Sequence, residues 1–112
     1  MNSPRLEKLF EFLKKAPNDA FTLYSIAYEY MNTGEHESAK DYFSQLLKAD
    51  PSYIGAYYHL GKTLEKLKQP EAAAQVYLNG IGIAQKKPDF HALAELNTAR
   101  NALLGLDYED EV

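Results

Sequence analysis

Apolar positions recur along this chain at helical spacing, in six runs separated by short polar or proline-containing breaks. A first helix is predicted over 3–16, with Leu6, Leu9, Phe10, Phe12 and Leu13 as its stripe. Ser3 stands at its N-cap, and Pro4 in its first turn, where no intrahelical bond is lost. Pro17 ends it, and Asn18-Asp19 opens a second helix over 20–33 that shows Leu23, Ile26, Ala27 and Tyr30 on one face. Gly34, free to take a left-handed conformation, stops that helix. A third helix over 37–49 buries Ala39, Phe43, Leu46 and Leu47, and Asp50-Pro51 forces the next break. Tyr57, Leu60, Gly61 and Leu64 mark a fourth helix over 54–67, which turns at Gln69-Pro70. The fifth, over 71–86, carries Ala73, Val76, Tyr77, Ile81 and Ala84, with Lys86-Lys87 at its negative end. Gly80 and Gly82 each weaken it by about 1 kcal/mol relative to alanine, so close packing is expected at both. A sixth helix runs over 89–104, with Phe90, Leu93, Leu96 and Leu103 as its stripe. The acidic stretch from Asp107 to Glu111 reads as a fraying, solubilising tail.

The runs are not independent. Residues 20–53 lie over 54–87 with a shift of 34, placing Leu23, Ile26, Ala27, Tyr30, Ala39, Phe43 and Leu46 on Tyr57, Leu60, Gly61, Leu64, Ala73, Tyr77 and Gly80. Size and polarity carry over more than identity. A period in this range points to stacked helical hairpins rather than one closed core. Ala27 and Gly61 fall where the two helices of a hairpin cross, and Ala39 and Ala73 answer them with equally small side chains. One hairpin cannot bury its apolar face alone, so stacking supplies the core.

These positions resemble the tetratricopeptide repeat pattern. The first copy gives Leu23, Ile26-Ala27, Tyr30, Ala39, Phe43 and Pro51; the second gives Tyr57, Leu60-Gly61, Leu64, Ala73 and Tyr77. The second departs at its end, where Gln85 replaces the proline and Pro88 comes three residues late, so its outer helix is expected to be a turn longer. The N-terminal helix resembles an orphan second helix of a repeat, and the C-terminal one the amphipathic helix that closes such arrays. The resemblance implies an all-α chain, a short α-solenoid of antiparallel hairpins. One unit would cover 1–106 (orphan helix 3–16, repeats 20–53 and 54–87, capping helix 89–104), with the tail at 107–112. It also implies a non-catalytic module that holds a peptide or protein segment on its concave face. By the family's spacing, Phe21, Tyr24, Tyr28 and Asn32 would face that groove from the first hairpin, and Tyr58, Lys62, Glu65 and Lys66 from the second. The lysine and asparagine clamp that some members close on a terminal carboxylate is missing, since Tyr24, Tyr28 and His59 stand at its positions.

Composition narrows the remaining classes. With 112 residues, 46% hydrophobic and 25% charged, the chain suits one folded unit. A net charge of −4 gives no basic footprint for nucleic acid. Without cysteine there is no disulfide, thiol nucleophile or thiolate metal site. The start, Met1-Asn2-Ser3-Pro4, carries no signal-peptide pattern, and no window nears the roughly 18 apolar residues of a membrane span. A cytoplasmic protein without cofactor, metal or membrane partner is therefore expected. His36, His59 and His91 share no ligand spacing and read as solvated surface residues. No phosphate loop or nucleophile motif is present, so catalysis is not expected. The leading reading is a monomeric adaptor; the competing one is a structural scaffold that self-associates as a homo-oligomer through its terminal helices, with Leu9, Phe12, Leu103 and Leu106 as the seam.

Overall fold

A computed structural model describes residues 3–105, and the tail and Leu106 lie outside them. Six helices follow one another: α1 (Pro4–Lys15), α2 (Ala20–Asn32), α3 (His36–Ala49), α4 (Ile54–Lys66), α5 (Pro70–Lys86) and α6 (Phe90–Leu103), with no strand among the described residues. Three starts are fixed by side chains. Ser3 Oγ accepts from the Leu6 amide, Asp19 Oδ2 from the Thr22 amide and hydroxyl, and Asp89 Oδ1 from the Ala92 amide. These bonds hold the Asp19 carboxyl below its ordinary range, the Thr22 hydroxyl contributing most. Gly34 leaves α2 with φ +82, the conformation its lack of a Cβ permits. At the matching turn after α4, Lys68 takes φ 62 instead, although it is no glycine.

Neighbouring helices pack antiparallel in sequence order, with α2 on α3 and α4 on α5 forming the two hairpins. In addition the backbones of α2 and α4, and of α4 and α6, come close, whereas those of α1, α3 and α5 stand apart, α1 reaching α3 through the Phe10 and Tyr42 rings at 6.0 Å. The first helices of the hairpins are thus drawn together and the second ones splayed, which curves the stack. The molecule is elongated, 53 × 29 × 19 Å, with a radius of gyration of 14.9 Å against about 13 Å for a compact domain of this length.

The core is a continuous seam rather than a ball. Leu23, Ile26, Ala27, Ala39, Phe43 and Leu46 are fully enclosed in the first hairpin, and Ala73, Tyr77 and Ala84 in the second. At Gly61 a Cβ would lie 2.1 Å from the Tyr77 ring, and at Gly80 one would lie 2.6 Å from Tyr57 Cβ. The small residues are therefore what lets α4 and α5 meet. Gly82 corrects the sequence expectation: nothing lies within 4 Å of its Cβ position, so no packing demands a glycine there. Two stripe residues also differ. Phe12 is 66% and Phe90 76% exposed, because each sits at an end of the stack where no further helix covers it. The late Pro88 has the consequence expected, since α5 has 17 residues where α3 has 14.

Candidate functional site

Tyr24 and Tyr28 are one helical turn apart on α2, so their rings stack along the same face, 6.0 Å between centroids. Tyr58 and Lys62 repeat this spacing on α4, with the Lys62 ammonium 5.6 Å from the Tyr58 ring centre. Between the pairs stands His59. Its ring lies 5.9 Å from Tyr24, 5.3 Å from Tyr28 and 5.4 Å from Tyr58, meeting the last two edge-on. Beneath, the fully buried Phe43 packs on both Tyr24 and His59, at 6.0 and 6.1 Å. The result is an aromatic floor across α2 and α4, on the side where the first helices converge. Tyr28 remains 39% exposed and Tyr24, Tyr58 and His59 partly so, although burial raises the Tyr24 phenol above its ordinary range.

The histidines need correction. His59 is not a solvated residue but part of this floor, and burial lowers its proton affinity, partly opposed by the charge of Glu95. His36 is half-buried, with Nδ1 enclosed and unpartnered among the described residues; only His91 is fully at the surface. The His59 shift has a pH consequence. An unfolded histidine titrates near 6.5, so above that pH the residue is neutral in both states and adds no penalty. As pH falls below it, the unfolded chain takes up a proton that the folded ring cluster resists, so stability drops. His59→Gln is expected to flatten the fall in urea midpoint between about pH 7 and pH 5; an unchanged slope would show that His59 titrates freely.

The other groove candidates are placed unevenly. Phe21 is 68% exposed and sits at the α1 edge with Leu9, Phe12 and Ala16, apart from the ring cluster. Asn32 and Lys66 are exposed at the C-terminal ends of α2 and α4. Glu65 is engaged inward, its Oε2 accepting the Tyr77 hydroxyl at 2.5 Å, and burial first, then Glu65, pushes that phenol far above the ordinary tyrosine range. α6 contributes residues that sequence reasoning left out of the groove. His91, Glu95, Thr98 and Ala102 face Tyr58 and Lys62 across a cavity of about 350 Å³, with His91 Nε2 3.7 Å from Glu95 Oε2. The signal was present in Asp89, whose capping of α6 repeats that of Asp19 on α2 and marks α6 as another first-type helix.

No group of three or more His, Cys, Asp or Glu that could hold a metal is found among the described residues. None of their helices is long and apolar enough to cross a membrane.

A tetratricopeptide repeat family model matches residues 30–96. The chain is 36% identical to the tetratricopeptide repeat domain protein of Salinibacter ruber, whose solution structure it matches over 82% of its own length and 93% of the other, with a TM-score of 0.75. Protein BPP2914 of Bordetella parapertussis shares the fold at 23% identity, with a TM-score of 0.80 over 99% and 96% of the two chains. Photosystem I assembly protein Ycf3 of Acaryochloris marina is 36% identical over 66 residues, 57% of this chain, which spans 40% of that protein's length.

Proposed function

Because the chain belongs to the tetratricopeptide repeat family, a family of protein-interaction modules, we propose that it works without catalysis, by holding a peptide or protein segment along the face formed by α2, α4 and α6. The observation that carries this is the half-open aromatic floor of Tyr24, Tyr28, His59 and Tyr58. Rings that only packed a core would be covered; these remain partly exposed, Tyr28 most of all, and tyrosine gives a partner contact area at small entropic cost. The splay of the second helices supports the same side, since a solenoid's inner curve offers an extended surface to a partner. Ycf3 is named for an assembly role, which suits a scaffold that holds another protein without transforming it.

The test is affinity capture by wild type beside the Tyr28→Ala, Lys62→Ala double variant, with helical signal and melting compared. Both side chains are partly exposed, so the fold is expected to stay within about 1 kcal/mol of wild type while capture falls at least tenfold. Equal retention by both would overturn the groove reading. It would favour self-association at α1, where Phe12 takes the place that the fully buried Leu46 holds one repeat later and stands open beside Phe21.

A further inference from the structure

The end of α4 and the start of α3 enclose a surface cavity of about 530 Å³, lined by Met31, His36, Lys62, Glu65, Lys66 and Lys68 among others. Three lysines meet there in a chain whose net charge is −4. Lys62 and Lys66 are one turn apart, a like-charge spacing that costs helix stability. Lys68 follows in the left-handed turn. None of the three is ion-paired among the described residues; Lys62 has only the face of Tyr58. Glu65, the one acid in the lining, accepts the Tyr77 hydroxyl and keeps its charge, so three ammonium groups stand against one carboxylate. The acids that flank His36 are also engaged, Glu35 by the Thr33 hydroxyl at 3.2 Å and Glu37 by Lys40 at 3.4 Å, and neither lines the cavity. His36 Nδ1 is buried with no partner among the described residues, and α3 begins beside this cavity with Glu35 and Glu37 at its first turn but no side-chain cap.

Three lysines without an ion pair, facing a single carboxylate in the lining, call for an anion. We propose that this cavity is the anion-binding end of the groove, taking a carboxylate or phosphorylated side chain of the partner segment whose apolar part lies on the aromatic floor. Lys62 joins the two, since it also lines the cavity between α4 and α6. The inference rests on the groove reading for its occupant, but the cavity's preference for anions can be measured separately. A partner segment would then carry its acidic or phosphorylated residue beyond its apolar contacts, toward the C-terminal ends of α2 and α4.

The experiment is an amide-shift titration of the whole chain by NMR with three short probes: hexaglutamate, a phosphoserine hexapeptide and an uncharged glycine–serine hexapeptide. Saturable shifts are expected at residues 36–38 and 62–68 with the anionic probes and not with the uncharged one. The tighter anionic probe identifies the group preferred. Lys62→Ala, Lys66→Ala, Lys68→Ala is expected to weaken binding at least tenfold. Lys66→Gln, Lys68→Gln, which spares the Tyr58 contact, is expected to weaken it in the same direction should the triple variant fail to fold. Tyr24→Ala, Tyr28→Ala should bind the probes as wild type does. Failure of the aromatic floor therefore leaves this result standing, and failure here leaves the groove test standing. Shifts that do not saturate, that spread equally over Lys8, Lys14, Lys15 and Lys48, or that survive removal of the lysines would overturn the proposal.

Discussion

Replacing Gly61 with valine is expected to remove about 3 kcal/mol or more of stability, enough to unfold much of a marginal six-helix stack at ordinary temperature. The cause is local and cannot relax cheaply. A Cβ at this position would stand 2.1 Å from Cε1 and 2.5 Å from Cζ of Tyr77, far inside the roughly 3.5–4.0 Å at which carbon atoms rest. Tyr77 has nowhere to go, being fully buried with its hydroxyl held by Glu65. Alanine is the sharper test. In a helix it gains about 1 kcal/mol over glycine, yet here the overlap should outweigh that gain and lower the urea midpoint. Gly82→Ala, in the open, should raise the midpoint, by about 0.5–1 kcal/mol. Opposite signs from one chemical change, measured side by side, are the expected outcome. A midpoint for Gly61→Ala equal to or above wild type would mean that α4 and α5 can part without cost.

Phe43→Ala is expected to cost about 3–5 kcal/mol, the usual range for removing a buried aromatic ring. Phe43 has no exposed surface and stands at the junction of the hairpins, touching Tyr24 of α2 and His59 of α4. Its loss empties the support under the aromatic floor as well as the seam between hairpins. Binding and stability should therefore fall together, unlike Tyr28→Ala, Lys62→Ala, where binding alone should fall. Phe43→Leu refills most of the volume and is expected to recover more than half of the stability in a urea titration. Equal losses for alanine and leucine would point to ring stacking rather than filled volume as what Phe43 supplies.

The repeat makes the architecture legible in the sequence, and the reason lies in particular positions. Ala27, Gly61, Ala39 and Ala73 are small where helices cross, and nothing but a close crossing asks for that at a fixed period. Helix ends were as readable, since Ser3, Asp19, Gly34 and Pro51 act through their own backbone and nearest amides. What failed depended on the ends of the stack and on neighbours distant in sequence. Phe12 and Phe90 have the periodicity of core residues, but periodicity does not reveal whether another helix arrives to cover them. Gly82 lies in the same helix as Gly80 and differs only in which way it faces. His59 looks like a lone mid-helix polar residue until α2 brings Tyr24 and Tyr28 beside it. For the site, the spacing of Tyr24, Tyr28, Tyr58 and Lys62 was visible, whereas the engagement of Glu65 by Tyr77 and the contribution of α6 needed the fold.

The most direct measurement of the groove reading is site-specific photo-crosslinking in a native lysate. A benzophenone side chain would replace Tyr28 or Tyr58 on the aromatic floor, with Ser44, exposed on the splayed helix α3, as the control. A single partner crosslinked from positions 28 and 58, displaced by excess unmodified chain and absent from position 44, is the predicted result. Crosslinking from position 44 alone, or from position 28 only to a second copy of the same chain, would contradict it.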